Sequence, residues 1–365
     1  MSAKKILLIG PFPDPISGVS ISNKVVKEIL ENEKGIKVSI VNTSYPFFKD
    51  SIGSFSIKKA LFFLKVNFNV LKTFNNDIIY TTPGQTFFGI IKYAPFILLG
   101  SILKKELIIH VHGNHLGKQF EELKGIKKRI FCFLVSKFTK GIVLSQSLIG
   151  NLTAFLEVSK IFVVNNFAED YLYENSKKED FDKIRIVFLS NLMEEKGILF
   201  LLDALKKLEE KNIVYEAKIA GNIDDSLKDE IKSKIDSLNS TSYVGVLRGN
   251  GKKELLNWST IFILPTFYKM EGQPIAILEA LATENVIIAT NHAGIPDIIK
   301  PEINGFFVTP KSEKSIFECF LYLSNNKEKI ELIAKNNKEY FLNNFTLEKF
   351  KSEILKVLHD NPTVR

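Results

Sequence analysis

The feature that most constrains the fold is a regular alternation of short apolar runs with longer helical stretches. The first half of the chain holds six such runs, which we interpret as buried strands: Ile6–Ile9, Val38–Val41, Ile78–Tyr80, Leu107–His110, Ile142–Leu144 and Ile161–Val164. Continuously apolar strands are typical of parallel sheets covered by helices on both faces. Helical stretches separate them around 20–33, 57–73, 87–103, 122–138 and 146–156. The pattern predicts an α/β fold with a doubly wound parallel sheet.

A polar stretch at 174–180 interrupts this pattern, which then restarts. Six further runs predict a second sheet: Arg185–Leu189, Ala217–Ala220, Ser242–Val244, Ile261–Leu264, Val286–Ala289 and Gly305–Val308. We predict two Rossmann-like domains, residues 1–168 and 169–345, with a ligand crevice at the carboxyl ends of their strands. The amphipathic C-terminal helix, at 346–360, either stays solvated or packs back on the first domain.

The segment Glu271-Gly272-Gln273-Pro274-Ile275-Ala276-Ile277-Leu278-Glu279 places two carboxylates around a turn that opens an apolar helix. Pro274 is expected at or near the first position of that helix. The first turn of a helix has unpaired N–H groups and a positive dipole end, and both bind phosphate. Carboxylates on either side can accept hydrogen bonds from the hydroxyls of sugars and riboses. The segment therefore predicts a nucleotide-sugar site.

A second candidate segment, Ser190 to Gly197, lies between a predicted strand and a predicted helix. It places Lys196 where an ammonium group can neutralise a diphosphate, and Gly197 permits close approach of a ligand. Alone, a Glu-Lys-Gly turn is more typical of the protein surface. The Glu271–Glu279 loop on the same edge favours a binding role. Gly221, at the end of the next strand, either lines the site or is only a turn residue.

Two segments of the first half are further candidates. Gly18 opens a helix after the first strand, and this position suits a phosphate or an acceptor hydroxyl. The segment lacks the three-glycine dinucleotide fingerprint, so NAD binding is not expected. His112 follows the fourth strand and is a candidate for substrate contact. With His110 and His115 it could instead bind zinc, but no carboxylate or thiol completes the usual ligand pattern.

Metal-dependent sugar transfer usually requires an Asp-x-Asp triplet at a strand end. Here the triplet occurs only as Asp180-Phe181-Asp182, in the polar stretch before a strand. We interpret it as solvated linker and predict no metal ion and no cofactor. Positive charge would then come from Lys196 and backbone dipoles. The loop from Thr290 to Asp297 brings His292 to the same edge, where the imidazole either approaches a ligand or caps the next helix.

The formal charge of +8 calls for a negatively charged partner or surface. Nucleic acid is not expected, because the chain has no Arg-rich run, zinc spacing or RNA-binding signature. An anionic membrane or a diphosphate substrate fits the charge equally well. Cys132 and Cys319 lie far apart in apolar runs, so we predict no disulfide and a reducing, cytoplasmic compartment.

Lysines and aromatic side chains are combined in two stretches, 55–72 and 125–140. Such helices can lie in a membrane interface, or they can bury one face in the core as Rossmann-type helices do. The run Phe87 to Leu103 is the most membrane-like, but it contains a lysine and a proline and is short for a span. The apolar run at the N-terminus is too short for a signal peptide. We therefore expect a cytoplasmic protein, peripheral on the inner face of the cytoplasmic membrane.

These motifs resemble those of the retaining glycosyltransferases of family 4, which have the GT-B fold. The resemblance covers nearly the whole chain, is strong over 185–310, and rests in the first half on Gly18 and His112. The subtype is similar to enzymes of bacterial surface-polysaccharide assembly. The matching motifs of the second half are the E-x7-E pair Glu271 and Glu279, Ser190 to Gly197, Ala220-Gly221 and Asn291 to Asp297.

The resemblance implies a role for each of these residues. Glu279 would hold the ribose hydroxyls of the nucleotide, and Glu271 would contact the donor sugar. Lys196 would pair with the diphosphate, Gly18 would border the phosphates, and His112 would contact the hexose. The other donor-binding positions that it implies are Asn191, Gly197, Gly221, Gly272, Gln273, Pro274, Ile275 and Ala276.

The sequence departs from the family pattern at two places. Asn191 stands where the family usually has an arginine, so Lys196 is expected to be alone there as a diphosphate cation. Glu284-Asn285 stand where a glycine is usual, and asparagine tolerates the left-handed conformation. In such proteins the last helix crosses back to the N-terminal domain.

The function that the resemblance implies is hexose transfer from a nucleoside-diphosphate sugar, UDP favoured over GDP, to a glycan hydroxyl with anomeric retention. The basic aromatic helices suggest a polyprenyl-linked acceptor at an anionic membrane, in lipopolysaccharide, O-antigen or capsule synthesis. A GT-B-like nucleotide-sugar epimerase is one alternative. The other is a binding protein for nucleotide sugars or nucleic acid, without catalysis.

Overall fold

The chain folds into two α/β units. The computed structural model describes residues 3–45, 57–174, 178 and 181–360. The first unit runs to Asn165 and also includes the chain from Lys351 onward, and the second unit is Asn166–Phe350. The division thus falls at 165/166, where the sequence predicts 168/169. Residues 55 and 56 of the first basic stretch, and most of the polar stretch including Asp180, lie outside the described residues.

The first unit contains one sheet of six parallel strands. They are β1 (Lys4–Gly10), β2 (Ile36–Asn42), β3 (Ile78–Thr81), β4 (Glu106–Val111), β5 (Lys140–Val143) and β6 (Ile161–Val163), in the order β2-β1-β3-β4-β5-β6. Its helices are α1 (Gly18–Glu31), α2 (Ile57–Asn67), α3 (Phe87–Ile91), α4 (Ala94–Ile102), α5 (Leu116–Glu122) and α6 (Gly125–Val135).

The second unit contains a sheet of six parallel strands as well. They are β7 (Arg185–Leu189), β8 (Glu216–Ala220), β9 (Thr241–Tyr243), β10 (Ile261–Leu264), β11 (Val286–Thr290) and β12 (Gly305–Val308). Its helices are α7 (Ile198–Glu210), α8 (Lys228–Asp236), α9 (Gly249–Trp258), α10 (Ile275–Ala282), α11 (Glu313–Asn325) and α12 (Lys327–Asn344). Every residue of β10 and β11 is buried, as expected of central parallel strands.

The strand order of the second unit is β12-β11-β10-β7-β8-β9. The direction of winding therefore reverses between β7 and β10, which are neighbours in the sheet although 71 residues separate their ends. Loops that leave the carboxyl ends of two strands at such a switch point diverge and open a crevice. Those loops contain the two predicted donor segments, Ser190 to Gly197 and Glu271 to Glu279.

The last helix, α13 (Leu347–His359), ends against the first unit. The Lys140 side chain is only 2% exposed, and its Nζ donates to Val357 O at 2.7 Å and to Asp360 O. Lys140 also pairs with Glu106 at 2.7 Å, and Lys4 Nζ donates to Leu358 O at 2.7 Å. Two ammonium groups thus satisfy carbonyls at the negative end of the helix.

Three predicted helical stretches of the first half differ in detail. The stretch 57–73 is α-helical only to Asn67 and continues as a 3₁₀ helix at Phe68–Asn75. The stretch 87–103 is divided into α3 and α4, which break around Lys92, and the stretch 146–156 forms a 3₁₀ helix at Gln146–Asn151 rather than a long α-helix. In the part of the chain that the structure describes, no helix is both long enough and apolar enough to cross a membrane.

Candidate functional site

The loops after β7 and β10 are joined by hydrogen bonds at the switch point. Phe267 N donates to Glu195 O at 2.8 Å, and Thr266 Oγ1 donates to the same carbonyl at 3.2 Å. This pairing fixes the 3₁₀ turn Glu194–Lys196 against the start of the second loop. The two segments that the sequence singles out separately therefore form one site.

Lys196 and Glu271 are in direct contact. Lys196 Nζ lies 2.6 Å from Glu271 Oε2, and their side chains are only 14% and 9% exposed. Thr266 Oγ1 lies 3.0 Å from the same Oε2, so its one hydroxyl proton is shared between this carboxylate and Glu195 O. The other carboxylate oxygen, Oε1, has no partner among the described residues, so it can accept from a ligand hydroxyl. The ammonium also lies 5.0 Å from the centre of the Tyr268 ring.

Gly197 is glycine for a steric reason. Its φ is +83°, and a Cβ at this position would lie 2.4 Å from Pro265 O. Only a residue without a side chain lets the turn that carries Lys196 approach the loop after β10 so closely.

The loop after β11 supports the Glu271 loop from the other side. Thr290 Oγ1 donates to Thr266 O at 2.5 Å, and Gly294 N donates to Gly272 O at 2.9 Å. His292 Nε2 donates to Tyr268 O at 2.8 Å. The imidazole is thus used to hold the loop.

The start of α10 presents unpaired backbone donors. Pro274 is the N-cap, and the helix begins at Ile275. The sequence also allows Pro274 itself as the first helical residue, one position earlier. Ile275 and Ala276 follow it and are half-buried, and no described residue accepts a hydrogen bond from their N–H groups. Before the cap, Gln273 is fixed by Asn166, whose N donates to its Oε1 at 2.6 Å and whose Nδ2 donates to its O at 2.8 Å. These donors suit a phosphate group.

Glu279 lies one turn into α10 and is paired with a lysine of α9. Lys252 Nζ is 2.5 Å from Glu279 Oε1, and the two side chains are 14% and 7% exposed. Burial alone would lower the pKa of Lys252, but the attraction and hydrogen bond of Glu279 outweigh it and raise that pKa. The Tyr171 side chain is a further electrostatic neighbour of Lys252. The second predicted carboxylate is therefore held in place by another side chain of the protein.

The predicted residues near β8 have different environments. Asn191 is exposed on the loop after β7. Gly221 has φ +142°, and a Cβ there would lie 1.7 Å from Ser190 O. Its N–H donates to Gly245 O at 2.9 Å, and its O accepts from the Tyr243 hydroxyl at 2.8 Å. Close packing against the loop after β7 thus requires glycine at this position.

The turn between α10 and β11 corrects one sequence interpretation. The residue with positive φ is Glu284, at 55°, whereas the sequence favours Asn285 for the left-handed conformation. Asn285 is fully buried, and its Nδ2 donates to Ala280 O at 3.2 Å and to Leu256 O at 3.0 Å. Its role is to tie the turn to α9 and α10. Glu284 pairs with Lys338 at 2.7 Å.

Gly18 and His112 belong to the first unit. Gly18 is exposed at the start of α1, after Ser17, whose side chain caps the helix by accepting from Ser20 N. His112 follows β4, and burial lowers its pKa to about 3, so the imidazole is neutral at physiological pH. Its ring lies 4.0 Å from that of His110, which is hydrogen-bonded to Tyr80 at 2.6 Å. The Nε2 of His112 is buried and has no partner among the described residues.

His115 lies next to these rings in sequence, but the three imidazoles do not converge on one point suitable for a metal ion. Within the described ranges, no group of three or more histidine, cysteine, aspartate or glutamate side chains is placed to hold one.

Several residues of the site were not found from sequence. Thr266, Asn166, Tyr171 and Lys252 contact predicted residues, yet they belong to no motif. Thr266 follows a predicted strand on the same edge and could have been proposed from that position. Lys252 could not, because it comes from another helix and its contact depends on the packing of α9 beside α10.

A family model matches most of the second unit. Residues 172–340 match the family described as glycosyl transferases group 1. This range contains both donor segments, Lys252 and the whole of the second sheet.

Two curated relatives match over part of their length. The chain is 27% identical over 151 residues to the amylovoran biosynthesis glycosyltransferase AmsK of Erwinia amylovora, covering 40% of this chain and 37% of that protein. It is 25% identical over 163 residues to the UDP-Gal:alpha-D-GlcNAc-diphosphoundecaprenol alpha-1,3-galactosyltransferase of Escherichia coli, covering 44% and 41%. The matches thus span less than half the length of these relatives.

Among solved structures, HepE of Anabaena in complex with UDP is similar over 97% of this chain and 99% of its own, with a TM-score of 0.73 and 18% identity. Such a likeness concerns the fold. The predicted α/β, two-domain GT-B fold is confirmed by this neighbour and by the two six-stranded parallel sheets.

Proposed function

We propose that this protein is a retaining, metal-independent glycosyltransferase that moves a hexose from a nucleoside-diphosphate sugar to a glycan hydroxyl. The observation that carries the proposal is the contact of Lys196 with Glu271 at the β7–β10 switch point, beside the unpaired N–H groups of α10. It combines a cation for a diphosphate with an acceptor for sugar hydroxyls. The match of residues 172–340 to the group 1 glycosyl transferases supports it.

The roles proposed for the second unit follow from this geometry. Glu271 would accept a hydroxyl of the donor sugar through its open Oε1, and Glu279 would accept from the ribose. Lys196 and the N–H groups of Ile275 and Ala276 would bind the diphosphate, with the glycine turns allowing close approach. UDP is the favoured nucleotide, and the UDP complex of the HepE neighbour supports this choice.

Transfer would proceed on one face of the sugar. The bond from the anomeric carbon to the diphosphate oxygen breaks, and its electron pair leaves with the diphosphate. The acceptor oxygen bonds to the same face of that carbon, and its proton passes to the departing diphosphate oxygen. Lys196 and the α10 N-terminus stabilise the charge that develops on the leaving group. His112, neutral at physiological pH, would contact the hexose as a hydrogen-bonding group, and Gly18 would border the phosphates.

The activity can be tested with a donor screen. We expect release of UDP from one of several UDP-sugars in the presence of a polyprenyl-diphosphate-linked sugar, with an unchanged anomeric configuration by NMR and full activity in EDTA. GDP-mannose serves as the comparison donor. Inversion of the product would contradict the retaining mechanism, loss of activity in EDTA would contradict metal independence, and donor conversion without an acceptor would indicate an epimerase.

We place the acceptor with the first unit and propose that it is a lipid-linked glycan. The name of the E. coli galactosyltransferase describes a diphosphoundecaprenol-linked acceptor, which supports this class of substrate. A lipid-linked acceptor requires the protein to work at a membrane surface, and the first unit has a surface suited to that.

This surface, which we call the basic apolar layer, consists of α2, the 3₁₀ segment Phe68–Asn75, α3, α4 and α6. The 3₁₀ segment packs against α2 and α4, α4 packs against α6, and α6 packs against α3. About half of the large hydrophobic side chains that are exposed among the described residues belong to it: Leu61, Leu64, Phe68, Leu71, Phe74, Phe88, Leu98, Ile102, Ile126, Ile130 and Phe133. The other interpretation of the stretches 55–72 and 125–140, burial of one helix face in the core, does not explain why these apolar side chains are exposed.

The charge of the layer is of one sign. Its five elements contain no aspartate or glutamate, and their basic residues are Lys58, Lys59, Lys65, Lys72, Lys127, Lys128 and Arg129. Exposed apolar side chains among lysines, without acidic residues, complement an anionic lipid surface. We propose that the basic apolar layer binds the protein peripherally to the inner face of the cytoplasmic membrane.

Vesicle binding should therefore depend on this layer. We expect the protein to sediment with vesicles of 30% phosphatidylglycerol in phosphatidylcholine at low salt, and much less with phosphatidylcholine alone. The double substitution Phe68→Glu and Leu71→Glu should weaken binding by at least about tenfold, because it removes apolar insertion and adds repulsion. These side chains are 75% and 66% exposed, so folding is not expected to change.

The matched control places the same charges on the second unit. Val214→Glu with Ile303→Glu alters side chains that are 87% and 60% exposed, but outside the layer. It should bind vesicles almost like the wild type. An equal loss of vesicle binding in both double variants would show that only the net charge of the protein is involved. No preference for anionic vesicles would show that the layer makes no contact with an anionic lipid surface.

A further inference from the structure

The ion pair between Lys252 and Glu279 has no counterpart in the motifs, yet it joins the residue proposed to bind ribose to another helix. The pair is almost buried, with side chains 14% and 7% exposed and 2.5 Å between Nζ and Oε1. Two charges removed from water in this way require good geometry and further hydrogen bonds to be stable. Tyr171 and the charge of Glu169 provide the rest of the environment of the ammonium group.

The ammonium group of Lys252 interacts with other side chains of the protein. Its hydrogen bond goes to Glu279 Oε1, and the Tyr171 side chain is an electrostatic neighbour of the ammonium group. Glu279 itself receives only this donor among the described residues, so its Oε2 remains available. Lys252 thus fixes one oxygen of the carboxylate and leaves the other for a ligand.

We propose that Lys252 is a positioning residue for the nucleotide: it holds Glu279 in the orientation in which Oε2 accepts a ribose hydroxyl, and it thereby sets the preference for ribonucleotides over deoxyribonucleotides. The proposal rests on the proposed function of Glu279 as the ribose ligand. A carboxylate rejects an analogue that lacks the hydroxyl only if it is held in place and cannot turn to another partner. Without Lys252, nothing described in the structure would hold Glu279.

The test measures binding of UDP, 2′-deoxy-UDP and 3′-deoxy-UDP by calorimetry, which needs neither sugar nor acceptor. The wild type should bind UDP about 10- to 100-fold more tightly than at least one deoxy analogue, as expected for a hydrogen bond to a charged group. In Lys252→Met this ratio should fall to nearly one, because affinity for UDP drops while affinity for that analogue changes little. Lys252→Arg should restore part of the ratio.

Lys253→Met is the matched control. Lys253 is the next residue of α9, and its Nζ donates to the exposed carbonyl of Glu174 at 2.8 Å. This variant should keep the wild-type ratio, whereas Glu279→Gln should lose it as Lys252→Met does.

The outcomes separate this inference from the proposed function. An undiminished ratio in Lys252→Met would overturn the positioning role while leaving nucleotide binding intact. An equal loss of affinity for UDP and both analogues would also overturn it, because Lys252 would then act on the phosphates directly. Failure of the wild type to bind UDP or GDP would overturn both the inference and the proposed function.

Discussion

Replacing Lys196 with methionine is expected to lower kcat/KM for the donor about 10²- to 10³-fold. Removing one electrostatic donor from the leaving group typically costs about 2.7–4 kcal/mol of barrier. Here the loss should lie at the upper end, because Asn191 stands where a second cation would be expected. The measurement is the initial rate of UDP release against donor concentration, at saturating acceptor.

Two further variants make this result interpretable. Lys269→Met removes an exposed lysine of the Glu271 loop and should leave the rate almost unchanged. Because Lys196 and Glu271 are in contact, Glu271→Gln combined with Lys196→Met should cost less than the sum of the single effects. A rate near that of the wild type for Lys196→Met, in a folded protein, would show that the diphosphate binds elsewhere.

Replacing Gly221 with alanine is expected to destabilise the second unit by about 2–6 kcal/mol. Its φ of +142° lies in a region that is essentially restricted to glycine, which costs about 1–3 kcal/mol for other residues. A Cβ would also lie 1.7 Å from Ser190 O, a backbone atom, and overpacking of this kind adds about 1–3 kcal/mol. Urea unfolding followed by fluorescence of the sole tryptophan, Trp258 in α9, reports on this unit.

Gly245→Ala is the control for backbone strain alone. Gly245 accepts a hydrogen bond from Gly221 N and has φ +77°, but nothing lies within 4 Å of its added Cβ. We expect a loss of about 1–2 kcal/mol, the usual cost of the left-handed conformation. If Gly221→Ala were as stable as Gly245→Ala but bound UDP poorly, Gly221 would have to be a binding residue rather than a packing residue.

Most strands were predictable because their burial on both faces is visible in the sequence, although the edge strands β2 and β9 are mostly not buried. Runs such as Ile261–Leu264 have no polar side to mislead the prediction, and all twelve strands are close to their predicted positions. Helices were less predictable where apolar content was high throughout. The run Phe87 to Leu103 is one apolar stretch, but tertiary packing divides it into α3 and α4.

The candidate site was predictable in its parts but not in its contacts. Lys196 and Glu271 could each be placed on the carboxyl edge of the sheet. That they touch depends on β7 and β10 being neighbours, and strand order is not encoded in any local pattern. The contact of Lys252 with Glu279 is of the same kind, since it requires a particular packing of two helices. The left-handed conformation lies at Glu284, whereas the known tolerance of asparagine for it favours Asn285.

The end of α13, held by Lys140 and Lys4, has a consequence for the order in which the protein forms on the ribosome. The first unit is discontinuous: its last helical turns are translated after the whole of the second unit. At usual rates of synthesis, the roughly 185 residues between Asn165 and Lys351 delay them by about 10–40 s. During that interval the carbonyls of α13 that accept hydrogen bonds from Lys140 have not yet been synthesised, while the second unit can already fold. The domain that begins first is thus completed last.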